Sequence, residues 1–192
     1  QLEVSNTIFT EVSLFSPLKN KKLENKMQSK PRDENDLPDA EPDNFIHQIV
    51  PGAEYLSLNK LDLKKLKKKA PEALVMNIPF GSKGKAKQEN VKIKLFKRNI
   101  YTDDATITFQ DSQTGKAIVK KAKDLDLGVH YHGVVEGEEN SIVAISLYNN
   151  SVEGRLHSTQ LGDLNLGKIR DKNGRLRKSN SPLASSHVIY RT

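Results

Sequence analysis

HYHGVVEGEENSIVAISLYNNSVEGRLHST, residues 130–159, carries the pattern on which the fold turns. Val129, Tyr131, Gly133 and Val135 alternate with polar residues, as they do when one side of a strand is buried. Glu138, Glu139 and Asn140 read as a turn into IVAISLY, and Asn149-Asn150 as a second turn into SVEGRLHS, because Asn tolerates the positive φ of a tight hairpin. The reading is a three-stranded antiparallel meander.

The same period of two runs outward in both directions. ALVMNIPF, NVKIKLFKRNIY, DATITFQDS and the run Lys116 to Lys120 are strand-like, with turn chemistry at GSKGK, Thr102-Asp103-Asp104 and Thr114-Gly115. Downstream, GDLNLGKIRDKNGRLRKS predicts a hairpin turning at Asn173-Gly174, and SHVIYR a last strand. One helix interrupts the series. In LDLKKLKKKAP, Asp62 caps the first turn, Leu63, Leu66 and Ala70 share a face, and Pro71 ends it. Two turns bury too little apolar area to bind a membrane, so the helix is expected as a lid over the sheet. The fold class is mainly β, an antiparallel sandwich or partly open barrel with one short α-helix.

A domain boundary is expected at residue 44. Ser29 to Asn44 holds three prolines among acidic and amide residues with no apolar period, so residues 1–44 read as an extended or disordered segment and 45–192 as the β-rich domain. Within the first segment NTIFTEVSLF, residues 6–15, suits a strand added to a sheet edge.

Composition excludes several functions. The 192 residues contain no cysteine, which removes disulfides, thiolate catalysis and cysteine-bound zinc. Hydrophobic residues make up 35% and charged residues 29%, so the core is modest. A net charge of +7 raises the question of nucleic acid. The lysines of KNKK, KKLKKK and KGKAK have little aromatic interleaving, however, and solvated faces account for them. No stretch is long and apolar enough to span a bilayer, and the start at Gln1, without a basic leader, suits a mature or truncated chain.

The candidate metal ligands are His130, His132 and His157. Residues two apart on a strand point the same way, so His130 and His132 have the spacing to share a metal, with His157 two strands over. Nothing in the spacing sets a carboxylate against them, and half-exposed sheet residues are the preferred reading. HExxH, GxSxG, the Walker loop and the Rossmann glycines do not occur, so the enzyme reading has no catalytic residues to rest on.

Tyr131 to Leu156, followed by LGDLNLGKI and HVIY, resembles the propeptide of bacterial reprolysin/adamalysin-type zinc metalloproteases: an aromatic residue, G-x-V-x-G, a polar turn, S-x-V-A-I-S, a hairpin and a further strand. LDLKKLKKKAPEALVMNIPF is similar to the helix and first strand of those propeptides, and the likeness extends from about Glu54 to Tyr190. It implies a non-catalytic prodomain, exported to the exterior or cell envelope, that helps a following catalytic domain to fold, blocks its cleft and is cut away. The partner is that catalytic domain. Zinc belongs to the partner, and no cofactor is expected in this chain.

Many such propeptides place a cysteine on the zinc, and this chain has none. A switch beyond Thr192, a carboxylate such as Asp163 or Asp171, or simple steric blockage are the alternatives. The basic hairpin, with Lys168, Arg170, Asp171, Lys172, Arg175 and Arg177, is the expected partner contact, and Arg177 and Arg191 the expected processing sites. The runner-up reading is a free-standing extracellular binding or adhesion module.

Overall fold

The computed structural model describes residues 7–18, 53–81, 90–169 and 186–192. These form twelve strands and one α-helix: β1 (Thr10–Val12), β2 (Phe15–Pro17), β3 (Glu54–Leu58), α1 (Lys60–Lys69), β4 (Ala73–Pro79), β5 (Asn90–Arg98), β6 (Thr106–Gln110), β7 (Ala117–Lys121), β8 (Val129–Val135), β9 (Glu138–Leu147), β10 (Val152–Ser158), β11 (Gly162–Lys168) and β12 (Ser186–Arg191). Ten strands make one sheet in the order β1-β4-β5-β8-β9-β10-β11-β12-β3-β2, which curls into a half-barrel. The mainly-β, partly open architecture expected from the alternation is the one observed.

Alternation places the core. Leu74, Met76 and Ile78 on β4, Ile93 and Leu95 on β5, Tyr131 on β8, Ile145 and Leu147 on β9, Leu164 on β11 and Leu56 on β3 point inward and join one buried cluster. Leu63 and Leu66 of α1 enter it, so the helix covers one end of the sheet. Lys67 fixes it there, with Nζ 3.0 Å from Asp126 Oδ2 and 2.7 Å from Asn149 Oδ1, and this contact holds the Asp126 carboxyl below its usual range. The interior is also closed by Tyr131, whose hydroxyl donates to the Pro71 carbonyl at 3.1 Å. Burial, with the Glu72 carboxylate adding to it, pushes that phenol up to about 12.

Three expectations are corrected. The helix N-cap is Asn59, whose side chain accepts from the Leu61 and Asp62 amides, and Asp62 sits inside the first turn, where its charge faces the positive helix end. Ala70 is the left-handed C-cap, φ 40°, with its N–H returned to the Leu66 carbonyl. The β8–β9 turn lies at Glu136-Gly137, not at 138–140. Gly137 has φ 82°, and Glu138 already belongs to β9.

The amino-terminal segment joins the same sheet. β1 pairs in parallel with β4 at one end of the strand order and β2 pairs antiparallel with β3 at the other, with only Ser13 and Leu14 between them. Thr10–Pro17 is therefore a strap across the open side of the half-barrel. Leu14 and Phe15, 2% and 7% exposed, sink into the core from it. Residues 29–44 and the hairpin turn at 173–174 lie outside the described residues.

The end of the sheet opposite the helix is held by Glu138. Its carboxylate accepts from the Ser158 hydroxyl and from the amide and hydroxyl of Thr159, which ties the β8–β9 turn to the β10–β11 turn. These bonds hold the Glu138 carboxyl below its ordinary 4.5. A carboxyl depressed in the folded state binds fewer protons than in the unfolded chain. Its contribution is therefore present above that ordinary value and lost as pH falls through the folded one. Glu138→Gln should thus lower the denaturation midpoint at neutral pH and shrink the further loss on acidification below about pH 4. Urea titrations of both proteins across that range test this, and an identical acid limb in the two would refute it.

Candidate functional site: the outer face of the sheet

With the interior filled, the chemistry-bearing residues fall on the convex face. Register sets them in rows. His130 stands between Arg98 on β5 and Ser146 on β9, and His132 between Phe96 and Ala144. Arg155 lies beyond Ala144, opposite Asn165, and His157 stands between Ile142 and Asp163.

His130 and His132 share a face, as their spacing requires, yet they do not converge with His157. Two strand spacings of about 4.8 Å separate β8 from β10, too far for a common ion. His130 instead has Nδ1 2.9 Å from Ser146 Oγ, while its ring lies edge-on between Tyr101 and Tyr148, at 6.4 and 6.2 Å, with Nε2 buried among them. His132 is exposed. His157 Nδ1 contacts Asp163 Oδ1, so the Asp163 carboxylate already has a partner within the domain. Among the described residues no three His, Asp or Glu side chains gather as a metal site.

The basic hairpin is only partly in view. Lys168 continues the inward alternation Leu164, Leu166, Lys168 and is 7% exposed, so this residue is not an outward contact. It lies opposite His187, which is fully buried, accepts from the Val152 amide through Nε2 at 3.1 Å and meets the Phe15 ring edge-on. Arg170, Asp171, Lys172, Arg175 and Arg177 lie outside the described residues. Arg191 ends β12 with its guanidinium over the Phe80 ring, 5.2 Å from the centroid, and its Nε donating to the Leu161 carbonyl.

Apolar residues also stand on this face, none of them a candidate site residue in the sequence. Phe96, 40% exposed, lies out of phase with Val91, Ile93 and Leu95, and Ile142, 67% exposed, is out of phase with Val143 and Ile145. Tyr101 and Tyr148, also exposed, stand edge-on to His130, and Phe9 packs edge-on against Phe96 at 5.5 Å. An apolar side chain on the polar beat of an amphipathic strand is the signal that finds such residues. Further along the same face, a groove of about 360 Å³ runs over β10–β12 between Glu153, Asn165, Gly167, Val188 and Tyr190.

Chemically the face offers aromatic edges, aliphatic contact and imidazoles. No helix among the described residues is long and apolar enough to cross a membrane. No family model, curated protein or solved structure matches the chain.

Proposed function

We propose that the chain is the non-catalytic prodomain of an exported bacterial zinc metalloprotease, which assists folding of the catalytic domain and occupies its cleft until proteolysis removes it. The structural observation that carries this reading is the set of exposed apolar and aromatic residues, Phe96, Tyr101, Ile142 and Tyr148, on the outside of a half-barrel whose inside is packed. Such a domain acts by what it presents. Its strands cannot shift to admit a ligand without breaking the core, so recognition uses the convex face, and zinc chemistry stays with the partner. The propeptide resemblance of residues 131–156 supports the same assignment, since that stretch builds β8, β9 and β10, the strands that form the centre of this face.

Added in trans to its catalytic domain, the chain should inhibit peptidase activity with micromolar or better affinity, as interfaces of ordinary size do. Ile142→Asp, 67% exposed, should weaken inhibition by about tenfold or more without changing the melting temperature, and Phe96→Asp should weaken it as much while also giving up the contact with Phe9. Undiminished activity at about 50 µM chain, with no complex on size exclusion, would remove the proposal.

A further inference from the structure

β6 and β7 form a two-stranded ribbon of their own, apart from the large sheet. Its tip is rigid: Asp111 Oδ1 accepts from the Gln113 amide and from the amide and hydroxyl of Thr114, and Gly115, φ 67°, closes the loop onto the Asp111 carbonyl. The two edges of the ribbon differ. β7 carries Lys120 and Lys121, which guard it as lysines guard natural edge strands, whereas β6 reads Thr-Ile-Thr-Phe-Gln with no charge.

Backbone polarity on β6 follows from the ribbon's ends. Ala105 accepts from the Ala122 amide, and Asp111 donates to the Lys116 carbonyl, so the odd-numbered residues bond toward β7. By the period of two, Thr106, Thr108 and Gln110 turn their N–H and C=O groups to the open side, and all three residues are exposed.

We propose that the chain self-associates through this edge, two copies pairing β6 antiparallel about a two-fold axis at Thr108. The strand is self-complementary in that register. Thr108 meets its own copy and Thr106 meets Gln110, both at positions whose outward N–H and C=O groups bond directly. Ile107 meets Phe109 at the intervening sites, where side chains approach most closely. One face of the resulting four-stranded sheet carries Ile118, Phe109, then the second copy's Ile107, capped by lysines at the outer strands, since Phe109 pairs with Ile118 and Ile107 with Lys120 in each ribbon. Charge selects the same edge. In a chain of net charge +7, pairing through β6 keeps Lys120 and Lys121 of both copies on the far sides, whereas pairing through β7 brings them together.

An interface this small, below about 1,200 Å², belongs to the transient class. Sedimentation equilibrium up to about 1 mM should show monomer and dimer in exchange. Thr108→Pro removes an N–H that faces away from β7, and Thr108→Lys sets two charges face to face. Each should weaken association by about tenfold or more at unchanged melting temperature. The chain lacks cysteine, so register can be read by cross-linking: Ile107→Cys mixed with Phe109→Cys should form an interchain disulfide faster than either alone or than Ser112→Cys. A wild-type chain that stays monomeric, a dimer indifferent to both Thr108 substitutions, or cross-linking no faster in the mixture than with Ser112→Cys would each overturn the proposal.

Discussion

A chain beginning at Lys19, lacking only residues 1–18, is expected not to reach the native state. The loss includes Leu14 and Phe15 from the core, the β1 pairing to β4, the β2 pairing to β3, and the bonds from the Asn59 amide to the Leu14 carbonyl and from the Leu18 amide to the Tyr55 carbonyl. Removing one buried Leu or Phe side chain costs about 3–5 kcal/mol. Two such losses, with both edges of the half-barrel laid open, are comparable to the whole stability of a domain, about 5–15 kcal/mol. The truncated chain should lose its cooperative urea transition. Leu14→Ala/Phe15→Ala in the full-length chain should lower stability by about 6 kcal/mol, less than the sum if the two sites relax together. A truncated protein that melts within a few degrees of the intact one would show that the strap is an accessory.

Gly133→Ala should do nearly as much damage with a single methyl group. A Cβ at Gly133 would stand 1.7 Å from the Lys94 carbonyl oxygen, 2.7 Å from its carbon and 2.9 Å from Leu95 Cα. These are main-chain atoms of β5 in mid-strand, so no rotamer relieves the clash and β5 must separate from β8. The expected loss is about 4 kcal/mol or more, in the range reserved for disrupted cores. Gly137→Ala is the control. Its Cβ meets nothing within 4 Å, so only the left-handed backbone, φ 82°, costs it, about 1–2 kcal/mol. Equal denaturation midpoints for the two variants would show that β5 can yield.

What the sequence reveals and what it hides divides along local and non-local lines. Strands β4 to β12 follow from alternation and turn chemistry, because the one-sided burial that produces the pattern acts on neighbouring residues. Glu138 escaped because its partners, Ser158 and Thr159, come from another hairpin, and three polar residues in a row otherwise look like a turn. Asn59 and Asp62 are both capping residues three apart, and their mutual hydrogen bond shows why either looks suitable. The strap was visible as a strand, but no local feature says that it serves both ends of the sheet. The histidine spacing on β8 was legible, whereas the distance to His157 depends on strand order. Lys168 looked like surface because lysine usually is, and only its phase with Leu164 and Leu166 says otherwise.

The pairing of Glu54 with Ile189 has a kinetic consequence. β3 cannot find β12 until nearly the whole described domain has been synthesised, roughly ten seconds later at about 5–20 residues per second. Through that interval β3 has no β12 to pair with, and β2, which extends the sheet through β3, gains little from an early start. Closure is thus the late event, slow because it joins distant segments. A nascent chain held before Ser186 should remain protease-sensitive across β3 however well the β8–β10 meander has already formed.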